Sequence, residues 1–186
     1  MKAPIKKITL TAMFMAIGLV LPFFTGQIPQ VGNMMLPMHL PVLLCGLICG
    51  WQYGGILGFI LPCLRFILFS MPPLFPIGIS MAFELAVYGS VVGLIFQKCR
   101  VKSIGTLYGS LILAMLSGRI IWGIVRFIIG GVTQSAFTWE LFMAGAFMNA
   151  IPGIILQLFV VPSVMLVLNK VGLMRVFKIT QKVSRG

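Results

Sequence analysis

Long apolar runs, broken by short stretches carrying glycine, proline or lysine, organise this chain. A helix that crosses a bilayer needs about 20 apolar residues, and fewer where neighbours shield it. On that measure the pattern predicts six membrane segments. The first runs from about Ile8 to Phe24, and a polar, glycine-bearing loop follows from Thr25 to about Met35. The second, from about Pro37 to Gly50, is short for a full span. The third runs from about Trp51 to Ser70, and Met71-Pro72-Pro73-Leu74-Phe75-Pro76 ends it, since proline lacks the backbone donor and clashes with the preceding turn. The fourth covers about Ile77 to Gln97, the fifth Ile104 to Gly131, and the sixth Trp139 to Asn169, with Pro152 and Pro162 predicted as kinks inside it. The tail after Lys170 is basic and amphipathic. The expected fold class is an all-α integral membrane bundle of six transmembrane helices, a single domain over residues 1–186 with short basic tails.

Composition strengthens this reading. Of 186 residues 60% are hydrophobic and 9% charged, far below the roughly 25% charged of soluble domains. A small soluble fold cannot hide that much apolar surface, so lipid is the solvent for most of it. The lysines before the first run suggest a signal peptide, but Phe23-Phe24-Thr25-Gly26 matches a small-residue cleavage site poorly, and the run is read as a retained helix.

Charge sets the orientation. The formal net charge is +12, which by itself could suggest nucleic acid. Its distribution argues against that partner. Eleven of the fourteen basic residues fall in three clusters: Lys2, Lys6 and Lys7; Lys98, Arg100 and Lys102; and Lys170, Arg175, Lys178, Lys182 and Arg185. With six spans these clusters share one side, and the opposite loops carry no basic residue. The bias toward positive cytoplasmic loops therefore puts both termini in the cytoplasm, beside anionic headgroups.

Cys45, Cys49, Cys63 and Cys99, with His39 as the single histidine, are read as packing residues and not as a metal site. Gly50, Gly54 and Gly58, and again Gly89 and Gly93, repeat every four residues, which lets helices approach closely in lipid.

The remaining basic residues, Arg65, Arg119 and Arg126, lie inside apolar segments, and the two acids are Glu84 and Glu140. A charge placed at the bilayer centre costs roughly 2.5–3.5 kcal/mol on insertion scales, so such residues face a protein interior or a watery cavity. Counting along each segment puts Arg65, Glu84, Arg119, Arg126, Glu140, Asn149 and His39 in the outer half of the membrane. Such segregation predicts a pocket open to the outside. Arg119, Trp122 and Arg126 fall at i, i+3 and i+7 on one helix face, and Ser80, Glu84 and Tyr88 share another. Arg65 and Glu84 either form a structural ion pair that fixes helix register or belong to the pocket. Arg126 and Glu140 read as interfacial residues. Trp51 and Trp139 stand at segment ends, as belt aromatics do.

The chain has no HExxH, no GxSxG and no Walker phosphate loop, so enzyme readings are disfavoured and ATP use by this chain alone is not expected. A self-sufficient carrier would show repeats and ion-coupling acids, and neither is obvious.

The chain resembles the S components of energy-coupling factor (ECF) transporters, over most of its length from Lys7 to about Lys170. The resemblance rests on size, on six spans with both ends inside, and on Ala12-x-x-x-Ala16 in the first segment. It rests also on Leu36-Pro37-Met38-His39-Leu40-Pro41-Val42-Leu43-Leu44, on Met71-Pro72-Pro73-Leu74-Phe75-Pro76 and on Gly118-Arg119-Ile120-Ile121-Trp122-Gly123. It implies a subunit of a bacterial plasma-membrane importer that captures a vitamin at its outer face. It implies further that the subunit topples when it docks, through Ala12 and Ala16, on a transmembrane scaffold (T) subunit powered by two ATPases. No cofactor is implied.

The expected substrate-binding residues are Arg119, Trp122, Glu84, Arg65, His39, Asn149 and Tyr88. If Arg65 pairs with Glu84, Arg119 lacks a protein partner, and a bound carboxylate would relieve it. Among vitamins carried by S components pantothenate fits best. A neutral ring vitamin of the pyridoxine or α-ribazole type, stacked on Trp122 and Tyr88, is the alternative.

Overall fold

The computed structural model describes residues 3–25, 36–99, 102–133, 138–146 and 148–171. The loop between the first two segments, Arg100, the centre of the loop after the fifth and the tail beyond Val171 lie outside the described residues. Within them the chain is helical, with no strand. α1 spans Ala3–Val20 and continues as a tighter turn over Leu21–Thr25. α2 is His39–Cys49, α3 Trp51–Phe69, α4 Ile79–Lys98, α5 Ile104–Val132, α6 Trp139–Ala146 and α7 Ile151–Lys170.

Five of the helical stretches are long and apolar enough to cross a membrane: those over α1, α3, α4, α5 and α7. α2 has 11 residues, about 16 Å of helix, which is half a bilayer core. The predicted sixth segment is not one helix. It divides into α6, a short 3₁₀ turn at Met148–Ala150, and α7. Pro152 sits in the first turn of α7, where its missing N–H costs nothing, and so starts a helix instead of kinking one. Pro162 does lie inside α7.

Local chemistry fixes the other ends. Gly50 separates α2 from α3 with φ +114°, a conformation open to glycine, while its N–H reaches the Cys45 carbonyl at 3.3 Å. Ser103 caps α5 by accepting the Thr106 N–H at 3.2 Å. The proline-rich stretch after α3 leads into α4 through a kinked turn at Leu74–Gly78, in which Phe75 is extended at φ −114° and ψ 134°.

α2 and α4 form the wall between two apolar clusters. On one side Phe14 of α1 and Leu57 and Leu61 of α3 pack against Val42, Cys45, Cys49 and Leu85. On the other, Leu107, Leu111, Ala114 and Met115 of α5 and Val161 and Met165 of α7 pack against Leu43, Leu47, Tyr88, Val92 and Phe96. Gly54, Gly58, Gly89 and Gly93 pack closely as the spacing predicts, whereas Gly50 serves the break between α2 and α3. A side chain at Gly54 or Gly89 would strike backbone atoms of the facing helix, because α2, α3 and α4 meet backbone to backbone there. Ala12 and Ala16 lie exposed on the side of α1 opposite Phe14 and Gly18.

Candidate substrate site

One turn beyond the apolar seam between α2, α4 and α5 the side chains turn polar. His39 opens α2, Glu84 lies in the second turn of α4, and Arg119 follows Met115 on α5. All three are buried. Arg119 donates from Nη1 to Glu84 Oε1 at 3.1 Å, and the same oxygen lies 3.4 Å from His39 Nε2. A buried arginine and glutamate are tolerable only because they neutralise each other.

Tyr88, one turn along α4 from Glu84, packs edge-on against the His39 ring at 4.9 Å between centroids. Its own ring fills the space left by the missing side chain of Gly118. The Tyr88 hydroxyl lies beside the Arg119 guanidinium without meeting hydrogen-bond geometry. Three further buried nitrogens of the cluster, His39 Nδ1 and Arg119 Nε and Nη2, have no hydrogen-bond partner among the described residues. The Nε and Nη2 hydrogens form one edge of the guanidinium, a fork that matches the two oxygens of a carboxylate.

Of the two readings of Arg65 left open by the sequence, the pair with Glu84 is not formed. Arg65 Nη1 donates to the Leu19 carbonyl at 2.7 Å, and its guanidinium lies 5.4 Å from the ring centroid of Phe23 and 5.6 Å from that of Phe69. The last carbonyls of a helix lack internal partners, so Arg65 closes the end of α1. Glu84 is paired with Arg119 instead. The premise that Arg119 lacks a protein partner therefore fails, and what remains available on Arg119 is an edge and not a whole charge.

The predicted Arg119–Trp122–Arg126 face also divides. Trp122 stacks on Phe142 of α6 at 6.4 Å, Arg126 lies 5.8 Å over the Trp122 ring, and Trp139 lies 5.2 Å from Phe142. These form an aromatic wall between α5 and α6. Beside it runs an apolar groove of about 550 Å³, lined by Ile120, Gly123, Ile124, Phe127, Thr138, Trp139 and Phe142, with no residue of the polar cluster. Glu140 is exposed in the first turn of α6, where an acid favours the helix dipole. The side chain of Asn149 lies outside what the structure describes. The sequence reading leaves out two buried polar residues. Ser110 donates to the Leu107 carbonyl at 2.8 Å, and Gln157 is on α7.

A family model for the ECF transporter substrate-specific component matches residues 6–165. The chain belongs to that family. It is thus a multi-pass membrane protein and a transport subunit, not an enzyme. Membership implies that this S component associates with a T scaffold and ATPase subunits. A search of curated proteins returns no match. In the S component the polar cluster of His39, Glu84, Tyr88 and Arg119 is the best candidate for substrate contact. Its members are held by three different helices and fixed by one another. The aromatic wall of Trp122 and Phe142 stands on the same helix as Arg119.

Proposed function

We propose that this S component captures a small carboxylate-bearing nutrient at its outer face, with pantothenate the best candidate, for ATP-driven uptake through its partner subunits. The observation that carries the reading is the open edge of Arg119. Its Nη1 is committed to Glu84, while Nε and Nη2 are buried with no partner among the described residues. A carboxylate would meet that edge with two parallel charge-assisted bonds. Pantothenate adds to one carboxylate a hydroxylated aliphatic body for the remaining polar atoms. In this reading six segments cross the membrane, α2 being the short one. Both termini lie in the cytoplasm of a bacterial cell, and the cluster faces outward. The three basic clusters on one side support that orientation. Ala12 and Ala16, exposed on α1, form the docking surface for the scaffold, since small residues let a partner helix come close.

One observation favours a second reading. Arg119 and Glu84 already cancel in charge, so a neutral ring vitamin of the pyridoxine or α-ribazole type would bury no further charge beside the aromatic wall. Mass spectrometry of the small molecule retained by the purified subunit separates the two. A carboxylate is expected, and a neutral ring compound would replace the first reading with the second. Co-purification with a scaffold subunit and two ATPases tests the assembly, and a subunit that transports by itself in vesicles would refute it.

A further inference from the structure

The second core cluster is built on a four-residue period in four helices at once. Its rungs are Leu43 and Leu47 on α2, Tyr88, Val92 and Phe96 on α4, Leu107, Leu111 and Met115 on α5, and Val161 and Met165 on α7. Residues four apart share a helix face. One step further along the same faces stand His39, Glu84, Arg119 and Gln157. With α7 running in the same direction as α2 and α4, as the six-segment reading has it, Gln157 falls at the end of the seam that carries the other three. Each of the four helices therefore replaces its apolar rung with a polar one at that end. Three of these rungs are joined through Glu84 Oε1.

The fourth is Gln157. α7 packs against α2 and α5, the helices that carry His39 and Arg119. Gln157 is fully buried, and neither its amide oxygen nor its amide nitrogen has a hydrogen-bond partner among the described residues. A buried amide left unpaired on both atoms is unfavourable, and native proteins seldom keep one without use.

We propose that Gln157 is a specificity-determining residue, whose amide reads the neutral hydroxyl or amide group of the nutrient held by Arg119. The placement of the nutrient rests on the reading given under Proposed function. An amide both donates and accepts, as a hydroxyl or another amide does, so the two match in either sense. A hydrocarbon tail would leave Gln157 unpaired and would be rejected for that reason.

The test uses the full chain and Gln157→Leu, which keeps the volume and removes the polar atoms. In ligand-free protein the variant is expected to melt at or above the wild-type temperature, since an unpaired amide has been removed. A lower melting temperature means that the amide has a partner in the resting fold, and overturns the proposal. Calorimetry then compares pantothenate with hexanoate, a carboxylate with neither hydroxyl nor amide. Gln157→Leu is expected to weaken pantothenate by about 10- to 100-fold and hexanoate by less than about twofold. Equal effects on both, or none, overturn the proposal. If wild type binds neither carboxylate, the Arg119 reading fails separately, and pyridoxine, neutral and hydroxylated, becomes the probe. Loss of pyridoxine binding in Gln157→Leu supports the role of Gln157, and unchanged binding overturns it. If none of the three binds, the proposal is overturned together with the Arg119 reading.

Discussion

Removing Arg119 should damage the fold before it damages binding. Arg119 and Glu84 meet at 3.1 Å with side-chain exposures of 5% and 2%. Arg119→Met leaves the Glu84 carboxylate buried, with the 3.4 Å contact to His39 as its remaining side-chain hydrogen-bond contact among the described residues. Stripping one partner from a buried pair costs about 3–5 kcal/mol. On the scale of chains this long, that lowers the melting temperature by roughly 6–20 °C. Glu84→Gln keeps the shape and an acceptor oxygen but leaves the Arg119 charge buried without its counter-charge, and should cost about 3–5 kcal/mol for the same reason. The double variant carries no uncompensated charge and should lie within about 2 kcal/mol of wild type, since a buried pair is often replaceable as a unit. Cys45 and Cys49 are buried, so a fluorogenic thiol dye reports unfolding during a thermal ramp in detergent. An Arg119→Met chain as stable as wild type would refute the reasoning. So would a double variant no more stable than Arg119→Met.

Three further outcomes are expected. Ala12→Trp or Ala16→Trp should abolish uptake while the isolated subunit binds substrate as before, and an equal fall in binding would make the pair part of the fold. Gly89→Ala should destabilise by about 1–3 kcal/mol, because the new methyl meets the Gly54 backbone, and a neutral result by the same thermal ramp would contradict the backbone contact. In a cysteine-free background, single cysteines at Gly26, Pro73 and Gln134 should label from outside intact cells and those at Lys6, Lys102 and Gln181 should not, and external labelling at Lys102 would reverse the orientation.

Segment positions were legible in the sequence because each apolar run has to hide its backbone, and prolines and glycines mark where it stops. Helix rotation was less legible. Arg65 and Glu84 sit on the closely packed neighbours α3 and α4, and each residue turns a helix by about 100°. That turn, and the open carbonyl of Leu19, decide that Arg65 closes α1 while Glu84 meets Arg119. The Ser80–Glu84–Tyr88 face survives as read, since all three are buried on α4. The Arg119–Trp122–Arg126 face does not, because α6 packs against α5 and takes Trp122 for itself. The division between α6 and α7 escaped notice because the residues around it are as apolar as a span. Gln157 escaped because one amide in an apolar helix has no local signature. Its meaning lies in the matching four-residue steps of α2, α4 and α5.

The central claim is that the buried edge of Arg119 selects a carboxylate. Calorimetry of pantothenate against its neutral alcohol analogue, pantothenol, on the unmodified subunit tests this with no change to the fold. The account predicts that pantothenate binds tighter by at least about tenfold, the lower end of a charge-assisted bond converted to affinity. Pantothenol binding as tightly as pantothenate would contradict it.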